Sequence, residues 1–125
     1  MKASELRIGN LLYFFKDTPA MVVSISSDSL YLTQGGGFIN PKTEECEPIP
    51  LTEDWLLKFG FELINNEYWQ SRNSEFKLYW TVNKNKMIPE FNEKRLIAGY
   101  DFKYVHQLQN LYFALTGEEL CIGKT

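Results

Sequence analysis

Histidine and cysteine are scarce in this sequence, and their scarcity excludes several kinds of chemistry. Of the 125 residues, His106 is the one histidine, and Cys46 and Cys121 are the two cysteines. The cysteines stand far apart without a CxxC spacing, and no carboxylates recur near them at ligand spacing, so we expect no metal site. At most one disulfide can form, which favours a reduced, cytoplasmic protein over a secreted disulfide scaffold.

The sequence also lacks long apolar runs, a strong charge imbalance and a cofactor motif. Its longest uninterrupted apolar run is residues 11–15, so we expect neither a signal peptide nor a membrane span. The 13 basic and 16 acidic residues give a formal net charge of -3, which draws the whole chain neither to nucleic acid nor to an anionic membrane. The glycines at 35–37 and 123 lack the spacing and the following helix of a phosphate-binding loop, so we expect no cofactor.

Apolar and aromatic residues, by contrast, are plentiful. Hydrophobic residues make up 44% of the chain, and they include three Trp, seven Tyr and nine Phe. A chain of this length and content buries enough surface to fold without a metal or a disulfide. We therefore predict a single domain over residues 1–125. Pro48 and Pro50 interrupt sheet pairing, so this domain can contain two lobes, residues 1–50 and 51–125.

The first fifty residues have the pattern of a small antiparallel sheet. β-Branched and aromatic residues alternate between turn signals, which predicts strands near residues 11–15, 21–25, 30–33 and 38–39. Met21, Val23 and Ile25 share one face of the second strand. Residues 34–37, a glutamine followed by three glycines, form a loop, because glycine loses the most backbone entropy on ordering. The spacing favours a curled sheet, and an incomplete SH3-like barrel is one form that such a sheet can take.

Residues 51–61 predict a short helix with capping residues at both ends. Thr52 is a good N-cap residue, and the two acidic residues after it lie at the positive end of the helix dipole. Leu51 can pack against Leu56 at the first turn. Gly60 supplies the left-handed residue that ends the helix, and Phe61 is placed to contact Leu56 as in a Schellman motif.

Residues 61–102 return to a strand pattern punctuated by turns rich in Asn and Ser. We predict an antiparallel meander with strands at residues 61–64, 67–70, 75–82 and 86–91. Residues 93–98 fit either a helical turn or a further strand.

The last helix is predicted by periodicity at residues 104–116. Its apolar residues fall on one stripe of the helix surface: Tyr104, Val105, Leu108, Leu111, Tyr112 and Leu115. Gly117 ends the helix, and residues 118–122 fit a short terminal strand with Leu120 and Ile122 facing inward. The chain is therefore predicted to have an α+β fold: a curled N-terminal antiparallel sheet, a capped short helix, a second antiparallel meander and a C-terminal amphipathic helix.

Three segments of the sequence resemble a known group of proteins. They are LRIGN at residues 6–10, IPLTEDWLLKFGF at residues 49–61 and YVHQLQNLYFALTGEEL at residues 104–120. Together they resemble a family of short uncharacterised proteins of Bacteroides-type bacteria and their prophages. The resemblance implies a cytoplasmic accessory protein carried by a mobile element, and it assigns no catalytic or binding residue.

Few residues could support catalysis. His106 would have to be the base of any hydrolase triad, yet the sequence has no Gly-x-Ser-x-Gly elbow. Acidic residues at positions 44, 45 and 47 surround Cys46 and disfavour its thiolate. We therefore expect no enzymatic activity. A small enzyme, the third alternative, would need a cleft that brings His106 next to Asp101, Glu118 or Cys121.

The polar face of the last helix is the first candidate surface. Opposite the apolar stripe lie His106, Gln109, Asn110 and Phe113, so a phenylalanine stands among hydrogen-bonding residues. Either another part of the chain covers Phe113, or Phe113 is an exposed anchor of the kind found at interface hot spots. The leading hypothesis is a non-enzymatic binding or assembly module in which these four residues contact a protein partner or a second copy of the chain.

A second candidate surface lies in residues 71–88, where cations alternate with aromatic residues. On the predicted strand, Lys77 and Tyr79 point away from the face that carries Phe76. Cations beside an exposed ring are the ingredients of single-stranded nucleic-acid binding. The alternative function is therefore a single-stranded nucleic-acid-binding accessory protein that uses Arg72, Lys77, Tyr79, Lys84 and Lys86. The small patch and the acidic chain favour a plainer interpretation, in which this is a core strand with solvated lysines.

Overall fold

The computed structural model describes residues 2–15, 18–73, 75–80, 87–95, 103–120 and 122. Contacts within the chain divide it into two units, one of residues 1–50 with 104–110 and one of residues 51–103 with 111–125. The expectation of a single domain with lobes at residues 1–50 and 51–125 stays a prediction.

The first unit is built on a five-stranded antiparallel sheet. Its strands are β1 (Leu11–Phe14), β2 (Pro19–Ile25), β3 (Leu30–Gln34), β4 (Gly37–Ile39) and β5 (Cys46–Pro48). They lie in the order β4-β3-β2-β1-β5, so β4 and β5 are the edges of the sheet. Two short 3-10 helices, Ala3–Glu5 and Thr43–Glu45, precede β1 and β5.

The β3–β4 hairpin turns through two glycines. Gly35 and Gly36 have φ angles of +59° and +87°, and they join the last residue of β3 to the first residue of β4. A two-residue loop with both φ angles positive is a type I′ turn, whose twist matches that of the flanking strands. The turn sets the register of the hairpin, in which Phe38 lies directly opposite Thr33.

The inner face of this sheet forms the core of the first unit. The buried cluster contains Leu6, Leu12, Ala20, Val22, Leu30, Leu32 and Cys46, with Phe14 and Ile39 packed against it. Alternation along β2 places Ala20 and Val22 inside and Met21 on the opposite face, where 41% of its surface is exposed. A shift of register between Val22 and Ser24 marks a bulge in β2.

The second unit contains a short helix, a five-stranded antiparallel sheet and part of the last helix. Its elements include α1 (Glu53–Lys58), β6 (Glu62–Ile64), β7 (Tyr68–Gln70), β8 (Phe76–Trp80), β9 (Met87–Phe91) and β10 (Lys94–Arg95). The strand order β10-β9-β8-β7-β6 is the predicted meander with one additional short strand. Of the ambiguous residues 93–98, residues 94 and 95 are therefore strand, and residues 96–98 lie outside the described residues.

Both ends of α1 are capped by the residues that the sequence predicts as caps. The Thr52 hydroxyl accepts a hydrogen bond at 3.4 Å from the backbone N–H three residues later. At the other end, Gly60 has a φ of +87° and donates its N–H to Leu57 O at 3.0 Å. The Phe61 N–H donates to Leu56 O at 2.9 Å. These two bonds define a Schellman motif, so the predicted helix and both of its caps are confirmed.

Aromatic rings on the inner face of the second sheet form the core of the second unit. The fully buried Phe76 ring makes edge contacts with Phe61, at 6.3 Å between centroids, and with Tyr112 of the last helix, at 5.1 Å. Trp69 and Leu78, directly opposite each other on β7 and β8, are also buried. This burial supplies the hydrophobic stabilisation that isolated hairpins lack.

The last helix, α2 (Val105–Thr116), contributes residues to both units. Its first residue is tied to the first unit, because the Val105 N–H donates to Ile49 O at 2.8 Å. Gly117 ends the helix at a φ of +77°, and its N–H donates to Phe113 O at 2.8 Å. The predicted helix and its glycine stop are confirmed.

Two features differ from the sequence-based expectation. The sequence does not predict β5, which ends in Pro48; an edge strand tolerates a residue without an N–H because only one side of it is paired. The predicted terminal strand is wrong, since residues 118–120 form none; Leu120 is buried, but Ile122 is 43% exposed. The α+β fold with an antiparallel meander is confirmed, and an SH3-like form is not. Among the described residues, no helix has the length and apolar character needed to cross a membrane.

Candidate functional site

Gln109 anchors α2 to the start of the first sheet. It lies on α2 with 2% of its surface exposed. Its Oε1 accepts a hydrogen bond from the Leu11 N–H at 2.9 Å, and its Nε2 donates to Gly9 O at 3.0 Å. One side chain thus supplies partners for a backbone donor and a backbone acceptor where the chain enters β1. Buried backbone groups without partners are costly, so Gln109 has a positioning role within the first unit.

Two asparagines and an arginine extend this contact. Asn10 is fully buried; its Oδ1 accepts from the Arg7 N–H at 2.7 Å, and its Nδ2 donates to Asn110 Oδ1 at 2.8 Å. The same Asn110 oxygen accepts from Arg7 Nη1 at 2.8 Å, while Asn110 Nδ2 donates to Glu5 O at 2.9 Å. We call Asn10, Gln109 and Asn110 the amide network. Its hydrogen bonds orient the first half of α2 on residues 5–11.

His106 lies one turn before Asn110 and is buried, with 1% of its surface exposed. Its ring stacks on Tyr104, with 5.9 Å between centroids and 11° between planes, and its Nε2 lies 3.5 Å from Glu5 Oε1. Neither ring nitrogen makes a hydrogen bond with a residue that the structure describes. Burial lowers the pKa of His106 below its ordinary value, and the Glu5 carboxylate opposes that shift only in part, so the ring is neutral near pH 7.

Phe113 differs from the other three residues of the predicted partner contact, because 39% of its surface is exposed. His106 and Gln109 are buried and Asn110 is half-buried. His106, Gln109 and Asn110 thus make contacts within the first unit. Phe113, in contrast, is only partly buried. A role for the four residues in contact with a partner stays a prediction.

The predicted nucleic-acid residues lie in the second unit. Lys77 and Tyr79 share the outer face of β8, and both are half-buried. Tyr79 packs on Tyr68, directly opposite on β7, with 5.1 Å between ring centroids. Lys77 Nζ lies 5.1 Å from the centroid of the Tyr68 ring. Arg72 is exposed in the turn after β7, and Lys84 and Lys86 lie outside the described residues.

Carboxylates surround Lys77. Glu90 lies directly opposite it on β9. Glu75 and Glu93 line a cleft together with Lys77 and Asn92. Negative charge at these positions weakens the attraction of Lys77 for a phosphate. The face therefore offers stacking by Tyr68 and Tyr79 with little net positive charge.

A row of uncharged, mostly apolar residues crosses the outer face of the first sheet, and three of them are exposed. It runs through residues that the register places opposite one another on four strands: Leu11, Met21, Thr33 and Phe38. Tyr31, two residues before Thr33 on β3, stacks on Phe38 with 5.8 Å between centroids and 18° between planes. Phe38 is 65% exposed, Tyr31 43% and Met21 41%. We call Leu11, Met21, Tyr31, Thr33 and Phe38 the sheet-face row.

The sheet-face row carries no charge. Glu47 is the only charged residue in β1–β5, and it lies opposite Tyr13 at the β5 edge, beyond the row. Contiguous exposed apolar surface of this kind marks interaction sites in monomeric proteins. The sequence gives one usable signal for it, the Gly35–Gly36 turn, which sets the register of Phe38 opposite Thr33. The remaining members are ordinary strand residues that sequence patterns do not distinguish from core residues.

Reactive and metal-binding groups are few in the described part of the chain. Burial, with a smaller contribution from the Glu45 carboxylate, raises the pKa of the Cys46 thiol to about 11, so this thiol is protonated at neutral pH. No group of three or more His, Cys, Asp or Glu side chains lies close enough to hold a metal ion among the residues that the structure describes.

No protein-family model matches the chain, and neither the curated proteins nor the solved structures give a significant match. The resemblance to short proteins of Bacteroides-type bacteria therefore stays a prediction.

Proposed function

We propose that this protein is a non-enzymatic binding module of the cytoplasm that contacts other protein surfaces through the sheet-face row. The observation that carries the proposal is the exposed Phe38–Tyr31 stack, which shares its face of the sheet with the exposed Met21, while the other face is packed as a core. Aromatic residues and methionine are enriched at protein interfaces. A sheet holds them at set spacing, which reduces the entropy lost on binding. An accessory role in a mobile element, as the resemblance implies, is part of this proposal.

The contacts of α2 support placing the binding surface on the sheet. Gln109 and Asn110 already hold residues 5–11 of the same chain, so they are not available to a partner without loss of those bonds. His106 is 1% exposed, and its burial supports a non-enzymatic protein over a small enzyme that uses this histidine.

A peptide-library selection tests the binding role without assuming a partner. Wild-type protein is the target, and each recovered peptide is measured against Phe38→Asp and against Leu57→Asp, whose leucine is 59% exposed on α1. We expect peptides whose affinity falls about tenfold or more with Phe38→Asp, the loss typical of an interface anchor, and stays unchanged with Leu57→Asp. If no recovered peptide distinguishes the two variants, the proposed function is wrong.

The packed Tyr68–Tyr79 pair favours a second candidate, single-stranded nucleic-acid binding. Fluorescence anisotropy with labelled oligonucleotides at about 50 mM and about 200 mM salt tests it, because phosphate contacts weaken as salt rises. This candidate predicts that Tyr79→Ala costs about 1–3 kcal/mol of binding, the usual size of one base stack, and that Lys77→Gln reduces the salt dependence. Absence of binding at the lower salt concentration would reject it.

A further inference from the structure

A cleft in the second unit combines a cation, a carboxylate and a buried floor. Its volume is about 480 Å³. The described residues that line it are Gly60, Phe61, Glu62, Gln70, Ser71 and Arg72. We infer that this cleft binds a small zwitterion, a free α-amino acid, whose carboxylate contacts Arg72 and whose ammonium group contacts Glu62. The inference goes beyond the proposed function, because the cleft lies in the second unit and shares no residue with the sheet-face row.

The backbone of the second unit brings the lining residues together at one edge of its sheet. β6 is an edge strand, and its first residue, Glu62, lies directly opposite Gln70 on β7. Arg72 follows Gln70 by two residues, just beyond the end of β7. Gly60 and Phe61 connect α1 to β6. The cleft therefore lies where the C-terminal end of α1 meets the edge of the sheet.

The charged side chains of the cleft are the ones that water reaches. Phe61 and Ser71 are buried, and the Ser71 hydroxyl donates a hydrogen bond to Asn73 O at 2.6 Å. Glu62 and Arg72, in contrast, are exposed. A ligand from solution therefore meets the two charged groups first and the buried residues below them.

Gly60 gives Arg72 its place in the cleft. A Cβ at residue 60 would lie 3.4 Å from Arg72 Nε, so the arginine side chain lies against the side of Gly60 that carries no side chain. The guanidinium group is a planar fork that binds a carboxylate through two parallel hydrogen bonds. Arg72 is therefore the carboxylate-binding residue of the inferred site.

The opposite charges of Arg72 and Glu62 select the class of ligand. A ligand with a carboxylate alone is repelled by Glu62, and a ligand with an amine alone is repelled by Arg72. A molecule that carries both groups pairs with both side chains. Small-molecule pockets measure about 300–1,000 Å³, so this cleft belongs to the smaller ones and suits a ligand of amino-acid size. Water weakens contacts between exposed charges, and we therefore expect a dissociation constant on the order of 1 mM.

An NMR titration of the ¹⁵N-labelled full chain with L-alanine tests the site. The amide signals of Gly60, Ser71 and Arg72 should shift and saturate, with a dissociation constant on the order of 1 mM. N-acetyl-L-alanine lacks the ammonium group and L-alanine amide lacks the carboxylate. Each should bind about tenfold more weakly, because each loses one charge-assisted contact.

Substitutions at the two charged positions separate the two contacts. Arg72→Gln and Glu62→Gln should each weaken alanine binding about tenfold, and Arg72→Gln should also remove the preference for alanine over alanine amide. Lys94→Gln is the matched control: its lysine is exposed on β10, at the opposite edge of the same sheet, so this variant should bind like the wild type. The NMR spectrum of each variant verifies that it is folded.

Absence of saturable shifts up to about 20 mM alanine would overturn the site. Shifts that Arg72→Gln and Glu62→Gln leave unchanged would overturn it as well, since alanine would then bind elsewhere. Equal affinity for alanine and its two blocked forms would overturn the zwitterion as the ligand.

Discussion

We expect His106 to make the folded chain less stable in mild acid, because its ring is buried. Burial is the main cause of its lowered pKa, and the Glu5 carboxylate opposes that effect. Because the folded pKa lies below the ordinary value of 6.5, the unfolded chain binds more protons than the folded chain as pH falls below that value. The contribution of neutral His106 to stability is therefore complete above pH 6.5 and is lost as pH falls through the folded pKa.

We predict that the free energy of unfolding decreases between about pH 7.5 and about pH 5.5, and that His106→Gln weakens this decrease. One proton can contribute a slope of at most about 1.4 kcal/mol per pH unit. Urea titrations across this range measure the slope. In Glu5→Gln the slope should be steeper than in wild type, because the carboxylate that favours the charged ring is gone. Equal slopes in wild type and His106→Gln would contradict the prediction.

Gln109 should be among the residues least tolerant of substitution. Gln109→Ala leaves the Leu11 N–H and Gly9 O without their partners, and we expect a loss of about 2–4 kcal/mol of stability. Gln109→Glu keeps an acceptor for Leu11 but places a carboxylate oxygen against Gly9 O, so it should also destabilise. Ala114→Ser, at an exposed position of α2, is the control and should change stability by less than about 0.5 kcal/mol. Urea denaturation that finds Gln109→Glu as stable as wild type would refute this role.

At the scale of elements, α1 could be predicted because the residues that cap both of its ends flank it directly in the sequence. The bonds of its Schellman motif join residues no more than five positions apart, from Phe61 to Leu56. The face of a strand that turns inward could not be predicted in the same way. β2 carries apolar residues on both faces, with Val22 inside and Met21 outside, so alternation alone does not select the core side. That choice depends on residues elsewhere in the chain.

The candidate site could be predicted only in part for the same reason. Periodicity correctly separates Gln109 from the apolar stripe of α2, but it cannot show that Leu11, 98 positions earlier, donates a hydrogen bond to it. The sheet-face row was missed because its members come from four strands and become neighbours only through the register. Sequence patterns describe residues that are close along the chain, and both surfaces depend on residues that are distant along it.

Substitution of Gly60 tests the glycine cap at the C-terminal end of α1. Gly60→Ala should destabilise the protein by about 1–2 kcal/mol, because its φ of +87° disfavours any side chain and the new Cβ would lie 3.4 Å from Arg72 Nε. Gly37→Ala is the matched control: its φ is not positive, and its Cβ would meet only Gln34 O, at an ordinary 3.8 Å. We expect a change below about 0.5 kcal/mol there. Thermal unfolding of both variants measures the difference, and equal destabilisation would count against a strained cap at Gly60.

At the scale of the whole molecule, α2 is shared between two units. Leu108 is completely buried in the first unit, and Tyr112, one turn later, is 3% exposed in the second. All three tryptophans, Trp55, Trp69 and Trp80, belong to the second unit. Tryptophan fluorescence therefore reports on the second unit alone, whereas circular dichroism reports on both. The two probes together can determine whether the chain unfolds as one domain.

Leu32→Ala probes this cooperativity from the first unit, where Leu32 is completely buried. The substitution should cost about 2–5 kcal/mol, as deletion of a buried leucine side chain usually does. Because α2 is one continuous helix with buried residues in both units, we predict that the urea midpoints by fluorescence and by circular dichroism fall together. Leu57→Ala, at an exposed position of the second unit, should shift neither midpoint. An unchanged fluorescence midpoint beside an earlier transition in circular dichroism would instead mean that the two lobes unfold independently.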